Sequence, residues 1–329
     1  MGQIQRYTWD GLPVAQDEPH GATIVVRRLA AGVAGEWEYL LLHRAHRGPQ
    51  YEGDWAWTPP AGSRQPGEPV LKAALRELAE ETGLHAEPEN LRVIDLRGGW
   101  ALFALDVPPD AAARVDPEHD RLEWLSLTAA AGRCKPAVIE AGLRRAAAVP
   151  RPALAYRALA YDDLPDMVRW QGAPHAARWF PGELDLETAR RKYGPRIDGG
   201  SPVAVHVVLA DDQPCGFAQH YRVSVDPGYA AATGEPDAIG IDYAIGVQAL
   251  TGQGLGPNLI WQYVRQVVLA AHPGAASIVA SPATANEPSI LALEKAGFRR
   301  VREIVIDGEP APELLCALDC GHFFGPARP

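Results

Sequence analysis

The sequence predicts an α/β protein of the α+β type that is divided into two domains. Its 329 residues are about twice the usual length of a single domain. Strand-like and helix-like segments occur in both halves, and Pro150 and Pro152 follow a helical stretch that they cannot continue. We therefore expect a domain over residues 1–149, a linker over residues 150–153 and a second domain over residues 154–329.

The N-terminal half is expected to hold one sheet and an amphipathic helix. Runs rich in Val, Ile, Leu and aromatic residues favour strands over residues 22–29, 38–43, 91–96, 100–107 and 121–126. The helix is predicted over residues 69–82, because Leu71, Leu75 and Leu78 repeat with the helical period. A further helical stretch covers residues 136–148.

The C-terminal half shows the same mixture in a different order. Strands are predicted over residues 203–209, 216–223, 239–247 and 277–281. Helices are predicted over residues 163–171, 257–271 and 287–296. Two more strands close the domain, and we expect the sheets of both halves to be largely antiparallel.

The composition excludes several classes of protein. The chain has 31 basic and 41 acidic residues and a net charge of -10, so it lacks the basic surface of a nucleic-acid binder. It contains no apolar run of about 18 residues, as a membrane span requires, and its first residues do not form an apolar signal segment. The four cysteines are widely spaced, which favours reduced, buried thiols in a cytoplasmic protein over a zinc site.

Three glutamates on the helix over residues 69–82 form the first candidate site. Glu77, Glu80 and Glu81 are three and four residues apart, so their side chains converge on one arc of the helix. Such a triplet is often only a solvated acidic face. A divalent cation would stabilise it, however, because Mg²⁺ prefers carboxylate oxygen and also engages substrate phosphates.

The wider pattern resembles a known family. Gly62, Glu68, the run from Arg76 to Glu81 and Gly83 match the pattern G-x5-E-x7-R-E-U-x-E-E-x-G-U, in which U is an apolar residue. This is the complete Nudix box, and residues 20–148 resemble the Nudix hydrolases, which have an α/β/α sandwich fold and cleave a nucleoside diphosphate linked to another group.

The resemblance implies a role for each residue of the box. Glu77, Glu80 and Glu81 would hold Mg²⁺ or Mn²⁺ with the Gly62 carbonyl, and Arg76 would pair with a carboxylate and orient Glu77. Glu80 or Glu81 would take a proton from the attacking water.

Other residues around this site have open interpretations. Glu118 and Glu123 are candidates for an additional base and could equally be ordinary surface charges. Trp55 and Trp57 could stack on a nucleobase or pack inside the domain. The segment Leu41 to Ala45 resembles part of the signature of coenzyme A-cleaving members, but the residues that follow do not fit it.

A glycine-rich turn in the C-terminal half forms the second candidate site. The sequence from Gln253 to Gly256 stands between a predicted strand and the apolar helix that begins near Pro257. Glycines before a helix let backbone N–H groups approach an anion, and the helix dipole favours negative charge there. A lone G-x-G turn is more often structural than phosphate-binding.

The surrounding sequence resembles the GNAT acetyltransferases over residues 154–320. The turn, Asn286 and the run from Leu293 to Phe298 correspond to family motifs, and the aminoglycoside 6′-N-acetyltransferase branch is the most similar. Trp170, the segment from His175 to Trp179 and the strand containing Asp242 also match that branch.

This second resemblance implies acetyl-CoA as a co-substrate and an amine as acceptor. Pantetheine would follow the strand at Ile245 and Val247, and Asn286 would contact the cofactor. Asp242 would act as base or counter-charge beside the amine. The residues implied to hold the pyrophosphate are Gly252, Gln253, Gly254 and Gly256. The residues implied to form an acidic mouth for an aminoglycoside, aminosugar or polyamine are Glu235 and Asp237.

The sequence departs from the GNAT pattern at two positions. Thr251 replaces the Arg or Gln that usually begins the turn, and Leu293 replaces a tyrosine that reprotonates the departing thiolate. We therefore carry three hypotheses. They are a bifunctional hydrolase and acetyltransferase, a Nudix hydrolase with a non-catalytic acetyl-CoA sensor, and a scaffold in which neither site turns over.

Overall fold

A computed structural model of the chain describes residues 6–8, 11–32, 35–180, 182, 185–308 and 311–326. They divide into two compact units. The first unit runs to Val149 and also contains Gly321–Gly325, and the second begins at Pro150 and continues through Cys320.

The N-terminal unit is built on one seven-stranded sheet with the order β3-β2-β1-β6-β5, to which β4 is added beside β1 and β7 beside β2. Its strands are β1 (Gly21–Leu29), β2 (Trp37–Arg44), β3 (Trp57–Thr58), β4 (Ala61–Ser63), β5 (Arg92–Asp95), β6 (Trp100–Asp106) and β7 (His119–Ser126). Its helices are α1 (Val70–Thr82), α2 (Leu127–Arg133) and α3 (Ala137–Ala148). The pair of β1 with β6 is parallel, and the other pairs are antiparallel.

Both faces of this sheet are covered. Val25 of β1 packs in one core cluster with Leu143 and Ala146 of α3. Ile24 and Val26, whose side chains alternate to the opposite face, are also fully buried. The predicted mixed α/β sandwich is confirmed.

The C-terminal unit contains a second seven-stranded sheet with the order β13-β14-β12-β11-β10-β9-β8. Its strands are β8 (Leu154–Ala158), β9 (Ala204–Ala210), β10 (Gln213–Arg222), β11 (Ile239–Ile245), β12 (Ser277–Ala280), β13 (Arg299–Ile304) and β14 (Glu313–Asp319). Its helices are α4 (Leu164–Gln171), α5 (Leu186–Ile197), α6 (Pro227–Thr233), α7 (Leu255–Tyr263), α8 (Leu269–Ala271) and α9 (Glu287–Lys295), and a last helix, α10, covers Cys320–Phe324. A π-helical turn, Val264–Val268, joins α7 to α8.

The strands β11 and β12 pair over only part of their length. β11 and β12 are parallel and pair only at Ile239 and Gly240, whereas β11 continues to Ile245. The sheet therefore opens beside the second half of β11. The predicted mixed and largely antiparallel sheet is confirmed, because the other strand pairs of this unit are antiparallel.

Some elements were not expected from the sequence. These unexpected elements are short or polar, and they are β8, α2, α5 and α6. Helix α5 contains Pro195, a residue type that normally interrupts a helix. All four cysteines are free and buried, as expected. In the part of the chain that the structure describes, no helix is both long and apolar enough to cross a membrane.

Candidate active sites

Helix α1 presents the three glutamates next to strand β4. The helix ends at Thr82, and Gly83 has the left-handed φ of 66° and donates its N–H to the Ala79 carbonyl. Glycine adopts this conformation without steric cost. Leu71, Ala74 and Leu78 are buried, which fixes the rotation of the helix.

Backbone groups of β4 hold two of the carboxylates. The Ala61 N–H donates to Glu81 Oε2 at 2.8 Å. A Cβ atom placed on Gly62 would lie 2.0 Å from the Glu77 carboxyl carbon. The glycine is therefore required for Glu77 to approach this strand.

The Arg76 guanidinium connects the acidic side chains to one another. It donates to Glu68 through Nε and Nη2, at 2.9 and 3.0 Å, and to the Ser63 carbonyl at 3.0 Å. Its Nη1 atom donates to Glu77 Oε1 and to Glu80 Oε2, both at 2.8 Å. Arg76 thus contacts Glu77 as the family resemblance implied, and Glu68 supports Arg76.

Burial makes two of these carboxylates unusually basic. Burial, with the charge of Glu80, raises the pKa of Glu77 to about 7, and Arg76 opposes the rise. The pKa of Glu81 lies well above its usual value because this side chain is buried beside Glu77, while the Ala61 N–H and Arg44 partly offset the effect. Two adjacent buried carboxylates favour a bound cation or a bound proton.

His119 and Arg44 belong to the same site, although neither residue was predicted there from the sequence. His119 Nδ1 lies 2.7 Å from Asp116, and its buried Nε2 lies 3.8 Å from Glu81 Oε1. The His119 Nε2 and Arg44 Nε atoms are buried without a hydrogen-bond partner among the described residues. His119 falls in no recognisable motif, and Arg44 lies in the segment Leu41 to Ala45, whose partial signature did not indicate this site. Only the fold brings the two residues to α1.

A cavity of about 660 Å³ opens above the carboxylates. Among the predicted residues that line it are Gly62, Arg76, Glu77, Glu80, Glu81, Glu118 and Trp55. Trp57 is instead 1% exposed and donates to Glu52 at 2.7 Å. Glu123 pairs with Arg133 at 2.7 Å. Trp57 therefore packs inside the unit, and Glu123 is an ion-pair partner and does not line the cavity.

The carboxylates fit a divalent cation, although Arg76 occupies two of them in this structure. Within the described ranges, no three His, Cys, Asp or Glu side chains are already arranged to hold a metal ion, and Arg76 Nη1 contacts both Glu77 and Glu80. Glu77 and Glu81 have raised pKa values, so a cation that neutralises them would be favoured. Gly62 has no side chain to block the carboxylate oxygens that a hard cation prefers.

The glycine turn of the C-terminal unit places two left-handed glycines directly before a helix. Gly252 and Gly254 have φ values of 72° and 88°, and helix α7 begins at Leu255. When left-handed residues directly precede a helix, successive N–H groups can point toward one position. The helix dipole also favours an anion there. The Thr251 hydroxyl donates to the Gln248 carbonyl at 2.8 Å, so this residue stabilises the turn locally.

A second cavity, of about 540 Å³, contains Asp242. Gln219 Nε2 donates to Asp242 Oδ2 at 2.7 Å, and Arg196 Nη1 donates to Gln219 Oε1 at 2.7 Å. Burial raises the pKa of Asp242, and Gln219, Arg196 and Tyr221 oppose that rise. The group is therefore a stronger base than an ordinary aspartate.

The carboxylates that share this cavity differ from those that the sequence suggested. Glu235 and Asp237 are exposed on the loop before β11 and do not line the cavity. Asp242 is further along that strand, and its neighbours in the cavity are Asp226 and Glu313. Glu313 begins β14, which lies far away in the sequence, so local spacing could not identify it.

Backbone groups of the segment along which pantetheine is expected already form hydrogen bonds within the protein. The Gly246 and Val247 N–H groups both donate to the Cys215 carbonyl, and the Ile245 carbonyl accepts from His175 Nε2 at 2.8 Å. The bulge at the end of β11 thus uses the Val247 amide within the protein, and the position of pantetheine along Ile245 and Val247 stays a prediction. A Cβ on Gly246 would lie 2.0 Å from Trp170 Cγ, so the indole packs directly against this bulge.

Two residues of helix α9 take structural positions. Asn286 caps the helix by accepting the Ser289 N–H at 3.4 Å. Leu293 is fully buried. Its aliphatic side chain has no ionisable proton to give to a thiolate.

Comparison with known proteins yields a match for each unit. Residues 19–146 match the model of the NUDIX domain. Residues 160–306 match the model of the acetyltransferase (GNAT) domain.

The curated relatives match part of this chain. The human 8-oxo-dGDP phosphatase NUDT18 is 39% identical over 30% of this chain and 32% of its own length. The asymmetrical bis(5′-nucleosyl)-tetraphosphatase of Sus scrofa is 32% identical over 32% of this chain and 77% of its own. The chain thus spans about a third of the length of the human relative.

Among solved structures, AAC(6′)-Ib with paromomycin and acetyl-CoA is 24% identical, with a TM-score of 0.46, over 51% of this chain and 93% of that chain.

Proposed function

We propose that this protein is a bifunctional enzyme. The chain belongs to the Nudix hydrolases through residues 19–146 and carries a GNAT acetyltransferase domain over residues 160–306. The N-terminal unit hydrolyses a nucleoside diphosphate linked to a further group, or a related nucleoside polyphosphate. The C-terminal unit transfers acetyl from acetyl-CoA to an amine.

The observation that carries the hydrolase proposal is the pair of buried, high-pKa carboxylates beside Gly62. The named activities of the relatives, an 8-oxo-dGDP phosphatase and a dinucleoside tetraphosphatase, support a nucleotide as substrate. Glu77, Glu80 and Glu81, with the Gly62 carbonyl, would hold Mg²⁺ or Mn²⁺. When bound, the cation would neutralise the diphosphate and lower the pKa of a water molecule.

The protein's own groups supply orientation and proton transfer. Arg76 holds the Glu77 carboxylate at 2.8 Å, and the Ala61 N–H fixes Glu81. Glu81, whose pKa is raised by burial, takes the proton of the attacking water, and Glu80 is the second candidate for that role. Arg44 lines the cavity, and its positive charge can attract a phosphate oxygen.

Substitution of Glu81 tests the hydrolase. We expect Glu81→Gln to abolish the formation of nucleoside monophosphate from nucleoside diphosphate-linked substrates with Mg²⁺ while circular dichroism stays unchanged, because the amide keeps the shape but cannot take a proton. Glu140→Gln, on the exposed side of α3, is the matched control. Unchanged formation of nucleoside monophosphate by Glu81→Gln would refute the assignment.

The transferase proposal rests on Asp242 in its cavity. Asp242 takes a proton from the acceptor amine, whose nitrogen then attacks the thioester carbonyl. The new C–N bond forms as the C–S bond breaks, and the thiolate leaves as coenzyme A after taking a proton from water. Asp226 and Glu313 line the same cavity and favour an acceptor with additional positive charge, such as an aminoglycoside, aminosugar or polyamine. The glycine turn before α7 would take the pyrophosphate.

The second candidate function is a hydrolase with an acetyl-CoA sensor, and buried Leu293 favours it. Isothermal titration calorimetry with acetyl-CoA, combined with a free-thiol assay, distinguishes the two functions. Thiol release that requires an amine and is lost in Asp242→Asn supports transfer. Tight binding without thiol release for any amine supports the sensor.

A further inference from the structure

The cavity of the N-terminal unit continues past the carboxylates across four adjacent strands. The register places Ala61 of β4 beside Thr23 of β1, Thr23 beside Leu102 of β6, and Leu102 beside Asp95 of β5. All four residues line the one cavity. Neighbouring strands are about 4.8 Å apart, so three steps separate Ala61 from Asp95 by about 14 Å.

Two arginines stand at the far end of this cavity. Asp95 receives Nε and Nη2 of Arg97 at 2.9 Å each and Nη1 of Arg145 at 2.8 Å. Burial opposes the effect, but the two guanidinium groups hold the pKa of Asp95 below its usual value. The carboxylate is therefore ionised, and the cluster of Arg97, Arg145 and Asp95 has a net charge of +1.

The arginines remain accessible to a ligand. The side chain of Arg97 is 41% exposed and that of Arg145 is 49% exposed, whereas Asp95 is only 7% exposed. The buried carboxylate thus fixes two accessible guanidinium groups on the cavity wall. Planar guanidinium groups bind phosphate with paired hydrogen bonds.

The wall between the two ends is apolar. Leu102 on β6 and Leu143 on α3 line the middle of the cavity and are buried. Trp100 adds a half-exposed indole. At Gly142 of α3 the helix has no side chain, and an added Cβ would lie 4.0 Å from Leu102 Cδ2. The cavity is therefore polar at both ends and apolar between them.

We propose that Arg97 and Arg145 form a second anion subsite, which recognises a phosphate carried by the substrate beyond the diphosphate that is cleaved. The substrate class is then a nucleotide with a diphosphate bridge and an additional phosphate. The proposal rests on the hydrolase function above for its catalytic consequence, while the binding preference can be measured without turnover.

NADPH and NADH provide a matched pair of probes, because each has one diphosphate bridge and they differ by a single phosphate. Binding is measured by calorimetry in Glu81→Gln, and cleavage is measured in the unsubstituted protein with Mg²⁺. We expect NADPH to bind at least about tenfold more tightly than NADH, a difference of about 1.4 kcal/mol. Arg145→Gln and Arg97→Gln should each reduce this preference toward unity and leave NADH affinity within about twofold.

Arg144→Gln is the control, since Arg144 neighbours Arg145 on α3 but pairs with Glu140 at 2.8 Å and lies outside the cavity lining. It should preserve the preference for NADPH. Equal binding of the two probes, or a preference that survives both cavity substitutions, would overturn the subsite. A preference for NADPH without any cleavage would support the subsite and count against the hydrolase function instead.

Discussion

Glu77 is the residue whose ionisation should control cation binding. Burial raises its pKa to about 7, and a carboxylate must lose its proton before it can ligate a metal. We predict that the apparent Kd for Mg²⁺ rises up to about tenfold for each pH unit below 7 and levels off above about 8. Calorimetric titration with MgCl₂ from pH 6 to 8.5 measures this dependence.

Two results would decide that prediction. Glu77→Gln should bind Mg²⁺ more weakly and with a smaller pH dependence, because one of the two carboxylates with a raised pKa is gone. A Kd for Mg²⁺ that stays constant between pH 6 and 8 in the unsubstituted protein would contradict it.

The sequence predicted the residues that lie together on one helix and missed those that the fold brings from elsewhere. Glu77, Glu80 and Glu81 are spaced by the helical period, so their proximity follows from local geometry alone. Arg145 reaches Asp95 from fifty residues away. Such contacts depend on strand order and register, which one sequence does not reveal.

Helix α3 offers a prediction at the scale of a single element. Gly142 lies inside this helix, where glycine costs about 0.5–1 kcal/mol relative to alanine. An added Cβ would make only an ordinary contact at 4.0 Å. We expect Gly142→Ala to raise the free energy of unfolding of the N-terminal unit by up to about 1 kcal/mol, as measured by urea denaturation.

Gly62→Ala is the matched comparison, because its Cβ would collide with the Glu77 carboxylate. It should slow cleavage of the nucleotide substrate and add no stability. Destabilisation by Gly142→Ala would mean that α3 packs more tightly against β6 than the distances indicate.

Histidines on β9 and β10 make the C-terminal sheet sensitive to acid. Burial, with His206 and His272 nearby, lowers the pKa of His220 to about 4, and its Nδ1 lies 3.0 Å from the Tyr263 hydroxyl. An unfolded histidine is protonated below about 6.5, so the native state loses stability as pH falls from 6.5 toward 4. At pH 5 the loss from this group is about 2 kcal/mol.

Hydrogen exchange of the β10 amides at pH 7.5 and pH 5 measures this loss, and the measurement must include a correction for the intrinsic effect of pH on exchange. His220→Gln should lose some stability at pH 7.5 and show a smaller further loss at pH 5. His46→Gln, at an exposed position of the N-terminal unit, should retain the full acid sensitivity. Equal acid sensitivity in His220→Gln would show that other groups cause the effect.

Secondary structure was predictable where amphipathic or apolar segments are long. The sequence located α1 to within a residue and placed β1, β2 and β11 close to their observed bounds. It missed α5, whose polar sequence contains Gly194 and Pro195, because helix propensity there opposes the observed structure. Tertiary contacts of Ala189 and Tyr193, which pack into a core cluster, stabilise this helix.

At the scale of the whole molecule, each site uses residues of one unit only. The cavity around Glu81 is lined by residues before Val149, and the cavity around Asp242 is lined by residues after Pro150. Glu81→Gln should therefore abolish cleavage of the nucleotide substrate and leave amine-dependent thiol release within about twofold. Asp242→Asn should do the reverse, because neither substitution changes a group in the other cavity.

Both assays are run on the same samples of the whole chain, and the double variant is expected to show the product of the single effects. If either single variant lowered both activities tenfold or more while remaining folded, the sites would be energetically coupled, and chemistry confined to each unit would no longer account for the enzyme.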